Sequence, residues 1–241
     1  MRFAIFGDIH SNLEGLQAVL ADAEAHHCTH FVCLGDIVGY NANPKECLDI
    51  VREMECPVVK GNHDELACMD TAPANVSGLA NEGMAYTRTR LDEDDIAWLD
   101  GLKFVRQVRD FTIVHATLDT PHKWGYVMNH LDAGASFSYQ HTQLCFFGHT
   151  HVPRAYVREQ HVRAAEGWRS MILEAGKKYF INVGSVGQPR DGDWRSSYVI
   201  YDAKANSLEL RRVEYDIDQA QKKIIDAGLP HRLASRLLEG R

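Results

Sequence analysis

The sequence predicts an α/β fold on two observations. Its first sixty residues read strand, helix, strand, helix, strand, and each of these strands is followed at once by a short polar motif. In an open α/β sheet this alternation sets the motifs side by side along one carboxyl edge, where such sheets bind their ligands.

The first strand is the continuous apolar run Phe3-Ala4-Ile5-Phe6, as expected where both faces of a strand are buried. Leu13, Leu16, Val19, Leu20 and Ala23 then recur at helical spacing, with Asn12 placed to cap that helix. His30 to Leu34 returns to strand character. Pro44 to Met54 forms the second predicted helix, started by Asn43 and Pro44 and burying Cys47, Leu48, Ile50 and Val51. Pro57 to Val59 completes the alternation as a short strand.

Ser77 to Leu102 turns helical and polar, with Leu91-Asp92-Glu93-Asp94-Asp95 as a helix start whose acids form a solvated cap. Phe104–Val108 and Phe111–Val114 flank Arg109-Asp110 as a hairpin that delivers His115 at a strand end, and Leu144–Phe147 does the same for His149 and His151. Strands are expected at 154–158, 170–173, 179–183, 198–201 and 208–213, giving the second half the look of a meander. Residues 216–241 form a helical tail, its two patterns broken by Gly228-Leu229-Pro230.

Composition narrows the function classes. A chain of 241 residues can bury its core in one domain, so a single domain over 1–241 is expected. With 33 acidic and 26 basic residues the net charge is −7, which gives no global field to attract nucleic acid or an anionic membrane. The cysteines at 28, 33, 47, 56, 68 and 145 form no CxxC pair and read as reduced thiols. The apolar start breaks at Gly7-Asp8, and no stretch approaches the roughly 20 residues of a membrane span, so the expected location is cytoplasmic.

The chemistry sits in five clusters: Gly7-Asp8-Ile9-His10, Gly35-Asp36, Gly61-Asn62-His63-Asp64, a lone His115, and Gly148-His149-Thr150-His151. Asp8 and His10 are two apart, so in an extended backbone their side chains leave the same face and can grip one ion. Asp36 can bridge two ions with its two oxygens, and Asn62 adds a neutral carbonyl oxygen. His149 and His151, again two apart, close the site from the second half. Such oxygen and imidazole donors suit manganese, iron, zinc or cobalt, and the lack of a cysteine cluster argues against a thiolate site. The preceding glycines suit a chain that turns tightly or approaches a ligand with its backbone. Singly, an Asp or Asn after a strand is ordinarily a cap and a lone His a core residue. Seven candidate ligands, all placed after predicted strands, favour a shared metal site.

The order GDIH, GD, GNHD, His, GHTH over residues 7–151 resembles the calcineurin-like metallophosphoesterase superfamily. The resemblance implies a four-layer α/β/β/α sandwich with two mixed β-sheets and a two-metal site at one edge. It assigns Asp8, His10, Asp36 and His151 to one ion, and Asp36, Asn62, His115 and His149 to the other. The expected cofactors are two divalent ions from among manganese, iron, nickel, cobalt and zinc, with manganese favoured. A hydroxide held by the metals would attack phosphorus, and His63 would face the leaving-group oxygen as general acid or hydrogen-bond donor.

Protein phosphatases of that superfamily read GDxVDRG at the second motif, where this chain has Gly35-Asp36-Ile37-Val38-Gly39-Tyr40-Asn41. The aspartate that would steady His63 and the phosphate-clamping arginine are both missing, which argues against a phosphoprotein substrate. Arg190, in the polar loop 182–193, is the candidate clamp from elsewhere, its alternative being a surface pair with Asp191 or Asp193. Asn12 is a further candidate substrate contact. The expected function is hydrolysis of small phosphate esters, foremost phosphodiesters, by a monomer or homodimer. The alternatives are a phosphomonoesterase, a dinucleotide polyphosphate hydrolase, or a non-catalytic metal-dependent binding protein. The segments 77–102 and 117–130 are candidates for the pocket walls.

Overall fold

A computed structural model describes residues 1–71, 73 and 77–241. In chain order the elements are β1 (Arg2–Phe6), α1 (Leu13–Ala25), β2 (His30–Cys33), α2 (Pro44–Glu53), α3 (Asn62–Ala67), α4 (Gly78–Arg88), α5 (Glu93–Asp100), β3 (Val105–Val108), β4 (Phe111–Val114), α6 (His130–Tyr139), β5 (Leu144–Phe147), β6 (Arg154–Arg158), β7 (Val162–Ala164), β8 (Ser170–Ile172), β9 (Lys178–Asn182), β10 (Ser196–Asp202), β11 (Ser207–Val213), α7 (Ile217–Asp226) and α8 (His231–Glu239).

The strands form a five-stranded sheet, β2-β1-β10-β11-β8, and a six-stranded sheet, β3-β4-β5-β9-β6-β7. Both are mixed: β1 runs parallel to β2 and antiparallel to β10, while β4, β5 and β9 run parallel beside antiparallel neighbours. Side-chain alternation makes the layers. Phe3, Ile5, Val32 and Leu34 join Phe111, Ile113, Leu144 and Phe146 in the core between the sheets. Ala4, Phe6 and Cys33 point the other way, into a core with Leu16, Val19, Cys47 and Leu48 of α1 and α2. Cys145 and Phe147 pack outward with Ala133 and Phe137 of α6. The fold is the four-layer α/β/β/α sandwich, its strands apolar on both faces because both faces are covered.

Several expectations change. Pro57–Val59 is no strand: Val58 bridges to Cys33 and Val59 to Lys103, so the ladder ends after one residue on each side. The second half is no meander, because β9 inserts between β5 and β6 while β10 crosses to pair with β1. A helix at 130–139 and a strand at 162–164 carry too short an apolar pattern to stand out in the sequence. The acid run that opens α5 is only partly solvated. Asp92 caps the helix, but Asp95 is buried and paired with Lys45 at 2.8 Å and Arg52 at 3.3 Å.

The cysteines at 28, 33, 47, 56, 68 and 145 are all free thiols. Among the described residues no helix is long and apolar enough to cross a membrane.

Candidate metal centre

The loops after β1, β2, β4, β5 and β9 converge at one edge, held together by their own backbones. Asp8 N donates to Gly35 O and His10 N to Asp36 O, both at 2.9 Å, which locks the first two loops in register. Gly148 N donates to His115 O at 2.9 Å, and Gly187 N to Asp8 O at 2.9 Å, which joins the loops of the two sheets. Both carboxylates lie against a glycine: a Cβ at Gly61 would collide with Asp36 Oδ1, and one at Gly148 with Asp8 Oδ2.

The Asp8–His10 pair converges, but not by the extended geometry its spacing suggests. Asp8 and His10 have φ of 50° and 48°, Asp36 has 51°, and His149 and His151 have 67° and 60°. Left-handed backbone at non-glycine residues costs about 1 kcal/mol or more each and persists where the surroundings impose it, commonly at functional sites.

Two donor groups result, Asp8, His10, Asp36 and His151 in one, and Asp36, His115 and His149 in the other, with Asp36 common to both. All of these side chains are buried. His10 Nε2 lies 3.4 Å from Asp36 Oδ2, His151 Nε2 lies 3.2 Å from Asp8 Oδ1, and His115 Nε2 lies 3.4 Å from Asp36 Oδ2. The far ring nitrogens face carbonyls that fix their tautomers. His10 Nδ1 donates to Val38 O at 3.2 Å, His115 Nδ1 to Leu34 O at 2.7 Å, and His151 Nδ1 to Gln188 O at 2.6 Å. Each of these rings turns Nε2 into the site. His149 is reversed, with Nε2 donating to Trp124 O at 3.0 Å and Nδ1 left for the site.

The donor set fits metal ions. Nε2 of His10 and of His151 are 3.0 Å apart, and with both Nδ1 atoms donating to carbonyls, two lone pairs confront each other. Among the described residues, buried Asn62 Oδ1 and His115 Nε2 have no hydrogen-bond partner. Divalent cations would satisfy these atoms together, and neither group contains a soft thiolate.

In the metal-free protein the charges settle as burial and neighbours dictate. Burial pushes Asp8 up to about 6. Burial also opposes charge on Asp36, but His115 and His63 outweigh it and hold that carboxyl well below its usual range. Burial disfavours the His115 cation, yet Asp36 and Asp8 raise it to about 10. His10, His151 and His63 are lowered, chiefly by burial, and His149 falls to about 3 for the same reason.

The residues around these groups divide between support and access. Asp64 accepts from the backbone N–H of Asp36, Ile37 and Gly61 at 2.8, 2.9 and 3.0 Å, so it clamps the second motif rather than merely capping α3. Asn12 is tied within the protein: Oδ1 accepts from Gly15 N and caps α1, and Nδ2 donates to Gly187 O. Arg190 does not pair with Asp191 or Asp193, whose carboxylates go to Arg212 and Arg195. It donates to Gln188 Oε1 at 2.8 Å, and its charge acts on His10, His63 and His151.

His63 packs between the rings of His10, 4.7 Å away, and Tyr40, 4.6 Å away. It lines a cleft of about 400 Å³ together with Asn62, His149, Leu66, Met69, Trp124 and Tyr126. Ser77 and Ala80 reach this cleft from one side and Lys123 from the other, so both candidate segments do form its walls. Tyr40, Trp124 and Tyr126 are contributions that no metal motif signals. The Tyr126 ring lies tilted against His149 with centroids 4.3 Å apart, and Trp124 Nε1 donates to Glu65 Oε2 at 2.8 Å.

Comparison with known proteins agrees with this geometry. The sequence pattern of the Calcineurin-like phosphoesterase superfamily domain matches residues 1–206. An uncharacterized protein of Methanocaldococcus jannaschii is 37% identical over 243 residues, covering 99% of this chain and 98% of that protein. The crystal structure of a metallophosphoesterase from Sphaerobacter thermophilus superposes with a TM-score of 0.89 at 36% identity, covering 100% of this chain and 99% of the other. A hypothetical protein from Pyrococcus horikoshii OT3 shares the fold, with a TM-score of 0.82 at 17% identity over 100% and 98% of the two chains. Family and neighbour imply phosphoester hydrolysis with divalent ions. By its motifs, its sandwich fold and these matches, the chain belongs to the calcineurin-like phosphoesterase superfamily.

Proposed function

We propose that the protein is a dinuclear metal-dependent phosphoesterase that hydrolyses small phosphate esters, foremost phosphodiesters. The observation that carries this reading is the pair of adjoining donor groups sharing Asp36, with His10 and His151 nitrogens face to face at 3.0 Å. Asp8, His10, Asp36 and His151 would hold one ion, and Asp36, Asn62, His115 and His149 the other, with manganese favoured. When bound, two such ions acidify water and neutralise phosphoryl charge.

The chain's own residues supply the rest. His63 lines the cleft and presents its ring beside both groups, which suits it to donate a proton or hydrogen bond to the leaving-group oxygen. Arg190, with a buried Nε that has no partner, binds a phosphate oxygen with its guanidinium fork. Leu66, Met69, Trp124 and Tyr126 give the leaving group an apolar wall, which favours esters with an organic leaving group.

The test is hydrolysis of bis-p-nitrophenyl phosphate and p-nitrophenyl phosphate by metal-stripped protein reconstituted with each divalent ion. Metal-dependent turnover with a preference for the diester supports the reading. Turnover of the monoester alone would favour a phosphomonoesterase, and none with any ion would favour a binding role.

A further inference from the structure

We infer that Trp124, in the loop 117–130, is a positioning residue for the second ion alone: it keeps Asn62, His115 and His149 in register and leaves the first ion to its own loops. This rests on the dinuclear reading and goes beyond it, since no metal motif contains Trp124.

The four histidines of the two donor groups take their orientation from different places. His115 and His10 are fixed by the carbonyls of Leu34 and Val38, which flank the Asp36 motif, and His151 by Gln188 in the loop after β9. His149 instead donates from Nε2 to Trp124 O at 3.0 Å. That bond leaves Nδ1 for the ion, so the carbonyl of Trp124 decides which nitrogen of the ring the second site receives.

The side chain reaches the other two ligands. The Trp124 ring lies edge-on to His115, with centroids 5.8 Å apart and planes at 74°. Its Nε1 donates to Glu65 Oε2 at 2.8 Å. Glu65 follows Asn62 by three residues in α3, one turn along the same face, so this bond ties the helix that presents Asn62 to the loop that orients His149. Trp124 thus touches His115 and His149 directly and Asn62 through Glu65, and these are the three ligands that the second ion does not share. Among the described residues its ring pairs with Phe104 and His115, and with neither His10 nor His151.

Trp124 is held firmly enough to do this. It ends the short helical turn Pro121–Lys123 with φ of 55° and ψ of 42°. A bulky residue in left-handed backbone is an outlier that persists where its surroundings over-determine it. The indole N–H can only donate, and Glu65 gives it a carboxylate oxygen. Phe104 packs on the same indole with ring centroids 5.6 Å apart. Trp124 also lines the cleft with His63, so the wall that faces the leaving group and the ligands of the second ion hang on one residue.

The test is calorimetric titration of the metal-stripped full chain with manganese. Wild type is expected to bind two ions. Trp124→Ala should keep one with its Kd unchanged within about twofold and bind the other about tenfold or more weakly, as happens when a partner behind a ligand is removed. Trp124→Phe keeps the ring and the carbonyl but lacks the N–H, and it should show part of that loss, as should Glu65→Ala. Glu65→Gln, which keeps an acceptor for the indole, should restore binding of the second ion. Thermal melts report folding, and where Trp124→Ala does not fold, Trp124→Phe and Glu65→Ala make the same comparison. Adding His149→Ala to Trp124→Ala should leave the retained ion in place, whereas adding His10→Ala should remove it.

A loosened fold would weaken both ions alike. Equal loss of both ions, no loss of either, or a retained ion that depends on His149 overturns the role of Trp124. One ion in wild type overturns the dinuclear reading and this role with it. Two ions in wild type, selective loss in Trp124→Ala and no hydrolysis of bis-p-nitrophenyl phosphate would refute the enzymatic reading alone.

Discussion

Nε2 of His10 and Nε2 of His151 stand 3.0 Å apart with their other ring nitrogens committed to the carbonyls of Val38 and Gln188. Neither ring can offer a proton to the other while both are neutral, and burial keeps both neutral. The contact is therefore repulsive in the metal-free protein and becomes attractive once a cation lies against both nitrogens. Removing metal should destabilise the fold. With free manganese at about a hundred times its Kd, linkage contributes about 2.7 kcal/mol, or about 5–10 °C in Tm for a chain this size. Scanning calorimetry with and without chelator measures it, and an unchanged Tm would oppose the metal assignment.

Asp64 should matter more than a helix cap does. Its carboxylate accepts from three backbone N–H groups, at Asp36, Ile37 and Gly61, and so holds the shared carboxylate in place from behind. Asp64→Ala leaves those buried donors unpaired, with an expected loss of about 3 kcal/mol or more. Metal affinity should fall about tenfold or more, as it does when residues behind a ligand are removed. Urea unfolding and metal titration check both, and a loss under 1 kcal/mol would reduce Asp64 to an ordinary cap.

His63 belongs to neither donor group but lines the cleft beside both. His63→Ala should lower kcat by about 10²–10⁴-fold while retaining the full metal content. Steady-state kinetics paired with elemental analysis separates the two quantities. Loss of metal together with activity would make His63 a ligand instead.

Away from the site, Asp22 sets an acid limit to stability. Burial works against its charge, but hydrogen bonds from Arg211 and Tyr198 prevail and hold its carboxyl below the ordinary value of 3.8. A carboxyl lowered on folding stabilises the native state above pH 3.8, and that contribution is lost as the pH falls through the folded value. Asp22→Asn should thus be less stable than wild type at neutral pH, with the gap closing in acid. Urea midpoints from pH 7 down to pH 3 test this, and a gap that widens in acid would reverse the sign of the argument.

Much of this was legible from residue order alone. Phe3–Phe6, Phe111–Val114 and Leu144–Phe147 are apolar on consecutive residues because each strand lies between two covered faces, and that run is visible in the sequence. The candidate donors Asp8, Asp36, His115 and His149 were legible because each closely follows a strand. Their convergence was not, since it depends on left-handed backbone at Asp8, His10, His149 and His151 rather than on extended spacing. The assignment of later strands to sheets escaped because nothing local tells β10 to cross over to β1 while β9 stays beside β5. Trp124, Tyr126 and Arg236 carry no motif. Packing brings them to the cleft and to Tyr40 from segments remote in sequence.

The proposed dinuclear centre requires Asp36 to belong to two metal sites at once. Elemental analysis of reconstituted, dialysed protein, with turnover of bis-p-nitrophenyl phosphate measured on the same samples, tests it most directly. The expected result is two ions per chain in wild type, with Asp36→Asn retaining at most one and losing turnover at least about a thousandfold, since two ions share the work of charge neutralisation. One ion per chain at full activity, or an Asp36→Asn variant that keeps both ions and its turnover, would contradict the shared centre.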